Sequence, residues 1–380
     1  MQIVVQIRNG GFTGTAVDSH LIQRRLAAAL DKLPITKVIM GWSTDATSYR
    51  DAAEWLAARG VDLYLWLPVF SELGSLANCS PVIGCFGDAP RKYQLDEDEN
   101  FEFYCPNNPT NTDAVIDVWR SQFASIGFTG VFLDKIRYPS FVNGLDGGLT
   151  CFCARCRQTF TDAGVDVDKL LRDVDSLKTM GTPFGASQYA DGHYRFDDDN
   201  WQRYFDTRCD IVFESLKSIC TTLRADGCSI GLDVFAPFMS HFVGQDIRRL
   251  STLADFVKPM MYAATAAPAG LPFEMGAMLN EIGVPRQPYC EIIGCDDSQT
   301  PFDLTFCARQ IEQLRAHTRS PILPGIEINR IDGIAPTDTE YITRCLDTYS
   351  QSDGFVLSWN LLDAPDAHID AVSKWLSRAG

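Results

Sequence analysis

Four cysteines are spaced so that they could bind one metal ion. Cys105 precedes a predicted helix, and three more cysteines follow in the run C-F-C-A-R-C, at Cys151, Cys153 and Cys156. Four thiolates complete a tetrahedral zinc shell and leave no coordination position for water, which is typical of a structural zinc site. A chance cluster of buried thiols is the alternative, but three cysteines within six residues are too concentrated for it. The pattern therefore predicts structural zinc.

The segment between these cysteines carries the first catalytic candidate. Residues 130–139 read G-V-F-L-D-K-I-R-Y-P, which is typical of a buried strand ending in a carboxylate, Asp134, with Arg137 shortly after it. The zinc would fix the loops that frame Asp134. An acid in this position either does chemistry or pairs with a neighbouring cation, here Lys135 or Arg137. The catalytic role is favoured because Asp134 is expected to face inward at a strand end.

Short β-rich apolar runs alternate with amphipathic stretches along the chain, which predicts a parallel sheet flanked by helices. Eight such runs occur, at 3–8, 37–42, 61–70, 130–137, 229–236, 255–262, 322–329 and 354–360. Eight βα units predict a (β/α)8 TIM barrel. The alternative is an open doubly wound sheet, but the G-x-G-x-x-G turn after its first strand is missing. We expect one barrel over residues 1–380, with long insertions at 138–200 after strand four and 263–320 after strand six.

Strand periodicity directs three acids toward the barrel interior. Side chains alternate between the two faces of a strand, so the aliphatic residues should meet the helices while Asp134, Asp233 and Glu327 point inward. All three fall near C-terminal strand ends, where barrel enzymes place catalytic groups. Carboxylates around one cavity can hydrolyse glycosides, since one protonates the leaving oxygen and another attacks the sugar or activates water. We expect Asp134 and Glu327 to form this pair, with Asp233 tuning or replacing one of them.

Residues that could position sugar hydroxyl groups lie near the same strand ends. They are Arg8, Arg137, Tyr262, Trp359 and Asn360, with Glu291 as a further candidate in a segment that reads as an extra strand or a loop. Aromatic rings at strand ends could stack on the faces of sugars. An oligosaccharide or glycoside is therefore the expected substrate, and glycoside hydrolysis or transglycosylation the expected reaction.

Two other functions fit the same residues. A sugar-binding barrel that has lost catalysis would be stabilised by its ligand without turning it over. A lyase or isomerase would instead use Lys135 or Lys258 as a Schiff-base amine. Serine-triad and zinc-protease chemistries are disfavoured, because the sequence has no G-x-S-x-G elbow and no H-E-x-x-H motif.

The cysteine pattern resembles that of a known family. The stretch Y-C-P-N-N-P at 104–109 and the run at 151–156 are similar to the tetracysteine zinc cluster of glycoside hydrolase family 42 β-galactosidases. Several groups of barrel proteins assigned as glycosidases share this run, and residues 130–139 resemble their fourth-strand motif D-x-x-R-[Y/F]-P. Residues 255–262 and 324–327 resemble their sixth and seventh strands. The resemblance implies a zinc-stabilised glycosidase barrel. The resemblance does not extend to the family 42 active site. Family 42 enzymes have an Asn-Glu pair at the end of strand four, whereas this sequence has Asp134-Lys135 at that place.

Composition narrows the set of partners. The net charge of −16 argues against nucleic acid and anionic membranes, and no apolar run is long enough to span a bilayer. The first residues enter a predicted strand at once, without the basic region and cleavage site of a signal peptide. We therefore expect a cytoplasmic protein, or a secreted one if the sequence is a mature form. Homo-oligomerisation stays open.

Overall fold

The computed structural model describes residues 1–12, 17–71, 78–95, 101–296, 302–357 and 359–379. Its strands are β1 (Gln2–Arg8), β2 (Ile35–Gly41), β3 (Asp62–Pro68), β4 (Gly130–Asp134), β5 (Ala186–Ala190), β6 (His193–Phe196), β7 (Ser229–Val234), β8 (Phe256–Pro259), β9 (Gly325–Ile326) and β10 (Gly354–Leu357). Its α-helices are α1 (Ser19–Leu30), α2 (Ala46–Ala57), α3 (Pro109–Val118), α4 (Gly144–Gly148), α5 (Ala154–Asp162), α6 (Val167–Asp173), α7 (Asp199–Ala225), α8 (Pro237–Ser240), α9 (Ile247–Ser251), α10 (Leu271–Ile282), α11 (Arg286–Ile293), α12 (Leu304–His317), α13 (Thr339–Thr348) and α14 (Asp366–Ala379).

Eight strands form a parallel sheet that closes on itself. Their order is β8-β7-β4-β3-β2-β1-β10-β9, and every neighbouring pair is parallel. The two end strands are joined by parallel bridges between Val257 and Ile322 and between Met260 and Gly325. The helices surround this nearly closed barrel, so the predicted (β/α)8 fold is confirmed, and each of the eight predicted runs overlaps one barrel strand.

Glycines and aromatic rings fill the barrel interior together. The rings of Phe132 and Phe256 stack with centroids 5.9 Å apart, and Tyr64 meets Phe256 edge-on at 5.6 Å. A Cβ atom on Gly231 would lie 2.4 Å from Cζ of Phe256, so only glycine leaves room for these rings. Large side chains are thus accommodated by small ones on the neighbouring strands, as is usual in barrel cores. The same alternation turns Asp134, two positions after Phe132 on β4, and Asp233, two positions after Gly231 on β7, toward the interior.

Helix starts on the outside of the barrel are marked by capping aspartates. Asp18, Asp45 and Asp198 each accept a hydrogen bond from a backbone N–H in the first turn of α1, α2 and α7. Such caps satisfy donors that the helix itself leaves unpaired. Among the described residues, no helix combines the length and apolar character needed to cross a membrane.

Three long connections leave the C-terminal ends of barrel strands. The two predicted insertions are present, since residues 135–198 follow β4 and residues 260–303 separate β8 from α12. A third, residues 69–108 between β3 and α3, was not predicted as an insertion. The β5–β6 hairpin in the first insertion was also missed; its partner strands run antiparallel outside the barrel sheet.

We predict that Gly130→Ala destabilises the protein by about 1–3 kcal/mol, the usual effect of overpacking. A Cβ atom on Gly130 would stand 2.5 Å from the backbone oxygen of Ser229, which cannot move without disturbing the pairing of β4 with β7. The matched control is Gly276→Ala in α10, where a Cβ atom meets nothing within 4 Å. We expect that variant to be neutral or stabilising by about 0.4–1 kcal/mol. Urea unfolding of both variants measures the difference, and equal midpoints would contradict this packing.

Candidate active site

A pocket of about 690 Å³, counting the space at its mouth, opens at the C-terminal ends of the barrel strands. Strands and the residues just after them supply most of the lining: Gln6, Arg8, Trp42, Trp66, Asp134, Lys135, Arg137, Asp233, Lys258, Met260, Tyr262 and Trp359. The long connections add Leu95, Phe101, Thr265, Ala267, Pro268 and Ala269. This is the end of a barrel where catalytic groups of such folds are found.

Asp134 is held at the end of β4 by two N–H donors. Trp66 Nε1 donates to its Oδ2 over 2.8 Å, and the backbone N–H of Lys135 donates to its Oδ1 over 2.5 Å. Both bonds stabilise the negatively charged carboxylate. Lys135 has a φ of 49°, a left-handed conformation that a non-glycine residue adopts only when its surroundings enforce it. The strained residue therefore fixes the orientation of Asp134.

Asp233 on β7 lies in a different environment within the same pocket. Its Oδ2 accepts a 2.9 Å hydrogen bond from Lys258 Nζ, and among the described residues no group is bonded to its Oδ1. Burial raises the pKa of Asp233 to about 7, with the charge of Asp134 acting in the same direction and Lys258 opposing both. The pocket thus offers one carboxylate stabilised by N–H donors and one carboxyl that holds its proton near neutral pH.

Lys258 and Gln6 form the floor of the pocket beside Asp233. Lys258 Nζ donates to Gln6 Oε1 over 2.8 Å as well as to Asp233. Its ammonium lies 5.6 Å from the ring centroid of Phe132 and 5.3 Å from that of Tyr262. Gln6 was not predicted as a site residue, and Lys258 was considered only as a Schiff-base amine in an alternative function. A signal existed, because strand alternation places Gln6 on the same face as Arg8 and Lys258 on the same face as Tyr262.

Glu327 is buried beside the pocket but turns away from it. Its carboxylate accepts the backbone N–H of Ala264 over 2.7 Å and the hydroxyl groups of Thr265 and Tyr341. The reason is that β9 ends at Ile326, so the strand alternation used to aim Glu327 inward stops one residue too early. Burial raises the pKa of Glu327. Glu327 is not among the residues that line the pocket, whereas Asp134 and Asp233 both line it.

Four of the six predicted substrate-binding residues line the pocket, namely Arg8, Arg137, Tyr262 and Trp359. Asn360 instead supports the backbone, since its Oδ1 accepts the N–H of Arg8 over 3.1 Å. Glu291 is exposed on α11 and bonds to Gln287 one turn earlier. The expectation of a strand or loop around Glu291 was wrong, because residues 286–293 are helical.

Aromatic and cationic side chains that line the pocket are in contact with one another. Lys135 Nζ lies 4.6 Å from the ring centroid of Trp42 and 4.1 Å from that of Phe101. Arg8 Cζ lies 5.2 Å from the same Trp42 ring. Such cation–π contacts stabilise both partners when they are partly desolvated. Phe101 comes from the connection after β3, and no sequence pattern marks it as part of a site.

The four cysteine sulfur atoms lie within 4.8 Å of one another. Cys105 Sγ is 3.5 Å from Cys156 Sγ and 3.9 Å from Cys153 Sγ. A tetrahedral zinc–thiolate site has sulfur–sulfur edges of about 3.8 Å, given its ~2.3 Å bonds. The backbone N–H of Ile83 also points to Cys151 Sγ at 3.3 Å, as expected around a thiolate ligand. The residues present therefore fit a four-sulfur metal site that joins the connection after β3 to the one after β4.

Comparisons with known proteins identify the fold. No protein-family model matches the sequence, and a search of curated proteins finds no match. Among solved structures, the glycoside hydrolase domain of PgaB (BpsB) from Bordetella bronchiseptica is similar over 100% of this chain and 98% of its own, with a TM-score of 0.59 and 13% identity. A class V chitinase from Pseudomonas fluorescens Pf-5 is similar over 99% of both chains, with a TM-score of 0.50 and 8% identity.

At these identities the likeness shows the barrel fold alone. Both neighbours span the full length of this chain, so the shared fold includes the strands that carry the pocket. The resemblance to family 42 β-galactosidases is not addressed by these neighbours and stays a prediction.

We predict that Glu327→Leu destabilises the protein by about 1–3 kcal/mol, because it leaves the N–H of Ala264 and the buried hydroxyl of Thr265 without their acceptor. The matched control is Glu291→Leu, on an exposed helical position, for which we expect a change within about 0.5 kcal/mol. Chemical denaturation of the two variants measures both effects. If Glu327→Leu were as stable as the control, the hydrogen bonds of Glu327 would not hold the adjacent loop.

Proposed function

We propose that this protein is a glycoside hydrolase, or a related transglycosylase, that acts on an oligosaccharide or glycoside. The observation that carries the proposal is the pairing of Asp134 and Asp233 in one pocket under opposite influences. N–H donors stabilise the charge of Asp134, whereas burial raises the pKa of Asp233. Two carboxyl groups in one pocket, of which one has a raised pKa and the other accepts two N–H donors, would supply the pair of acids that glycoside cleavage requires.

The roles follow from these environments. Asp233 would protonate the glycosidic oxygen, since it is the carboxyl that keeps a proton near neutral pH. Asp134 would attack the anomeric carbon or activate the water, because its charge is stabilised by Trp66 Nε1 and the N–H of Lys135. This assignment replaces the Asp134–Glu327 pair expected from the sequence and keeps Asp134 as the central residue.

The rest of the pocket supports a carbohydrate substrate. Trp42, Tyr262 and Trp359 present flat rings around the two acids, and Arg8 and Arg137 add hydrogen-bond donors. The two structural neighbours are named as a glycoside hydrolase domain and a chitinase, which agrees with the proposal. We further propose that residues 1–380 act as one catalytic barrel.

The metal at the four cysteines would be zinc in a structural role. Cys105, Cys151, Cys153 and Cys156 would hold it, and with four thiolate ligands it would have no open position for substrate. It would tie together two connections at the pocket end of the barrel.

A Schiff-base reaction at Lys258 is the second candidate, because this lysine is buried and lines the pocket. Its Nζ donates hydrogen bonds to both Asp233 and Gln6, and these contacts would have to break before the nitrogen could attack a carbonyl. Borohydride trapping with carbonyl substrates tests it, and we expect no trapping.

We predict that Asp134→Asn and Asp233→Asn each lower glycoside turnover by about 10²–10⁴-fold, the usual contribution of an acid or base. Turnover of a broad panel of glycosides and oligosaccharides, including chitin oligosaccharides, measures this, with unfolding midpoints as the control for folding. Activity that survives both substitutions would refute the pair. Stabilisation by sugars without any turnover would favour the binding-protein alternative.

The pH profile separates the two roles. Glycoside cleavage should require protonated Asp233, so kcat/KM should fall as pH rises through about 7, where the carboxyl of Asp233 loses its proton in the free protein. A profile without a decline near this pH would move the acid to another residue.

For the cysteine cluster, we predict that Cys153→Ser lowers bound zinc from about one ion per chain toward zero and lowers the melting temperature. Cys79→Ser is the matched control, since Cys79 is also half-buried but lies outside the cluster. Elemental analysis and thermal unfolding of the purified variants provide the measurements. Unchanged zinc content in Cys153→Ser would rule out the four-cysteine site.

A further inference from the structure

Lys258 can only donate hydrogen bonds, and it gives two of them to the pocket floor. Its ammonium contacts Asp233 Oδ2 at 2.9 Å and Gln6 Oε1 at 2.8 Å. The lysine stem packs tightly, because a Cβ atom on Gly325 would lie 2.8 Å from Lys258 Cε. The ammonium is therefore held in place between the two side chains.

The orientation of the Gln6 amide follows from this contact. A lysine ammonium has no acceptor, so the amide must turn its oxygen toward Lys258 and its nitrogen away. In the described part of the chain, Gln6 Nε2 has no acceptor within hydrogen-bonding distance, although Gln6 is fully buried. A buried N–H donor without a partner is unfavourable, and a ligand oxygen in the adjoining pocket would satisfy it.

The position of the Asp233 proton follows in the same way. Oδ2 already accepts from an ammonium that cannot accept in return, so a proton on this carboxyl must reside on Oδ1. Oδ1 is buried, and within the described residues nothing is bonded to it. Asp233 and Gln6 both line the pocket, and Lys258 bonds to each of them.

We propose that Lys258, anchored by Gln6, is a positioning residue that fixes the proton of Asp233 on Oδ1 and presents Gln6 Nε2 as a donor to the same substrate. This inference rests on the proposed glycoside hydrolysis. In that step the proton moves from Oδ1 to the glycosidic oxygen, and the electron pair of the broken carbon–oxygen bond leaves with that oxygen. The Asp233 carboxylate that remains is stabilised by Lys258. Water supplies the hydroxyl group to the sugar carbon, and its other proton restores the acid.

Substitution of Lys258 tests the inference through the pH profile. Lys258→Met removes the positive charge beside Asp233, so the decline of kcat/KM at high pH should move upward by about one to three pH units while kcat falls. Lys258→Arg keeps the charge and should leave the decline near its original pH. A purely structural role would lower activity in both variants without moving the profile, and that result would overturn the proposal.

A second measurement is independent of turnover. Infrared difference spectra recorded across a pH titration report the protonation of buried carboxyl groups, and Asp233→Asn identifies the band of Asp233. We expect this band to titrate at higher pH in Lys258→Met than in the unsubstituted protein. The same midpoint in both would overturn the inference. If no glycoside is turned over, the proposed function fails, and this titration still decides the role of Lys258.

Gln6→Met provides a further variant in case Lys258→Met does not fold. It removes the amide donor but leaves the Asp233–Lys258 contact, so KM should rise about tenfold, the effect of one lost hydrogen bond, while the pH of the decline stays unchanged. An unchanged KM would show that the amide does not meet the substrate and would overturn that part of the proposal.

Discussion

The hydrogen-bonded contact between Lys258 and Asp233 is the constraint around which the pocket is arranged. It lies inside a barrel whose neighbouring layer consists of aromatic rings and glycines. Removing the Lys258 ammonium and a carboxyl group from water costs several kcal/mol, and apolar residues of similar volume would often be equally or more stable. A buried pair of this kind is therefore poor evidence of stabilisation. Its location at the C-terminal strand ends, beside Asp134, agrees with the proposed role of the pocket.

Buried carboxyl groups at this end of the barrel divide into two kinds. Asp134 and Asp233 face the pocket, whereas Glu327 and Glu274 hold the loop that forms one of its walls. Glu327 accepts the N–H of Ala264 near the start of this loop, and Glu274 accepts the N–H of Ala269 near its end, over 2.8 Å. Burial raises the pKa of both glutamates. A wall fixed at both ends by side chains from other elements keeps a defined shape, which is what a pocket that orients a substrate requires.

The barrel and half of the pocket could be predicted from the sequence because both depend on strand periodicity. Alternating side chains placed Asp134 and Asp233 on the inner face, and the same rule applied to β1 and β8 would have found Gln6 and Lys258. The rule failed for Glu327, since β9 is only two residues long and the chain leaves the sheet before that residue. Phe101 and Ala269 come from irregular connections with left-handed backbone conformations, and no local pattern predicts which cavity such residues reach.

The cysteine cluster and the left-handed backbone of Lys135 both bear on the position of Asp134, the first through the flanking loops and the second through a direct hydrogen bond. Cys105 lies near the end of the connection after β3, and Cys151 to Cys156 belong to the connection after β4, so a metal shared by them would join the two segments that flank Asp134. Closer to the site, the left-handed conformation of Lys135 aims its N–H at the carboxylate. Long connections carry few regular hydrogen bonds of their own, and their entropy in the unfolded chain is large. A metal cross-link would offset that entropy most where the connections are longest. The cluster lies between two long connections, and the geometry of Asp134 depends on the order of both.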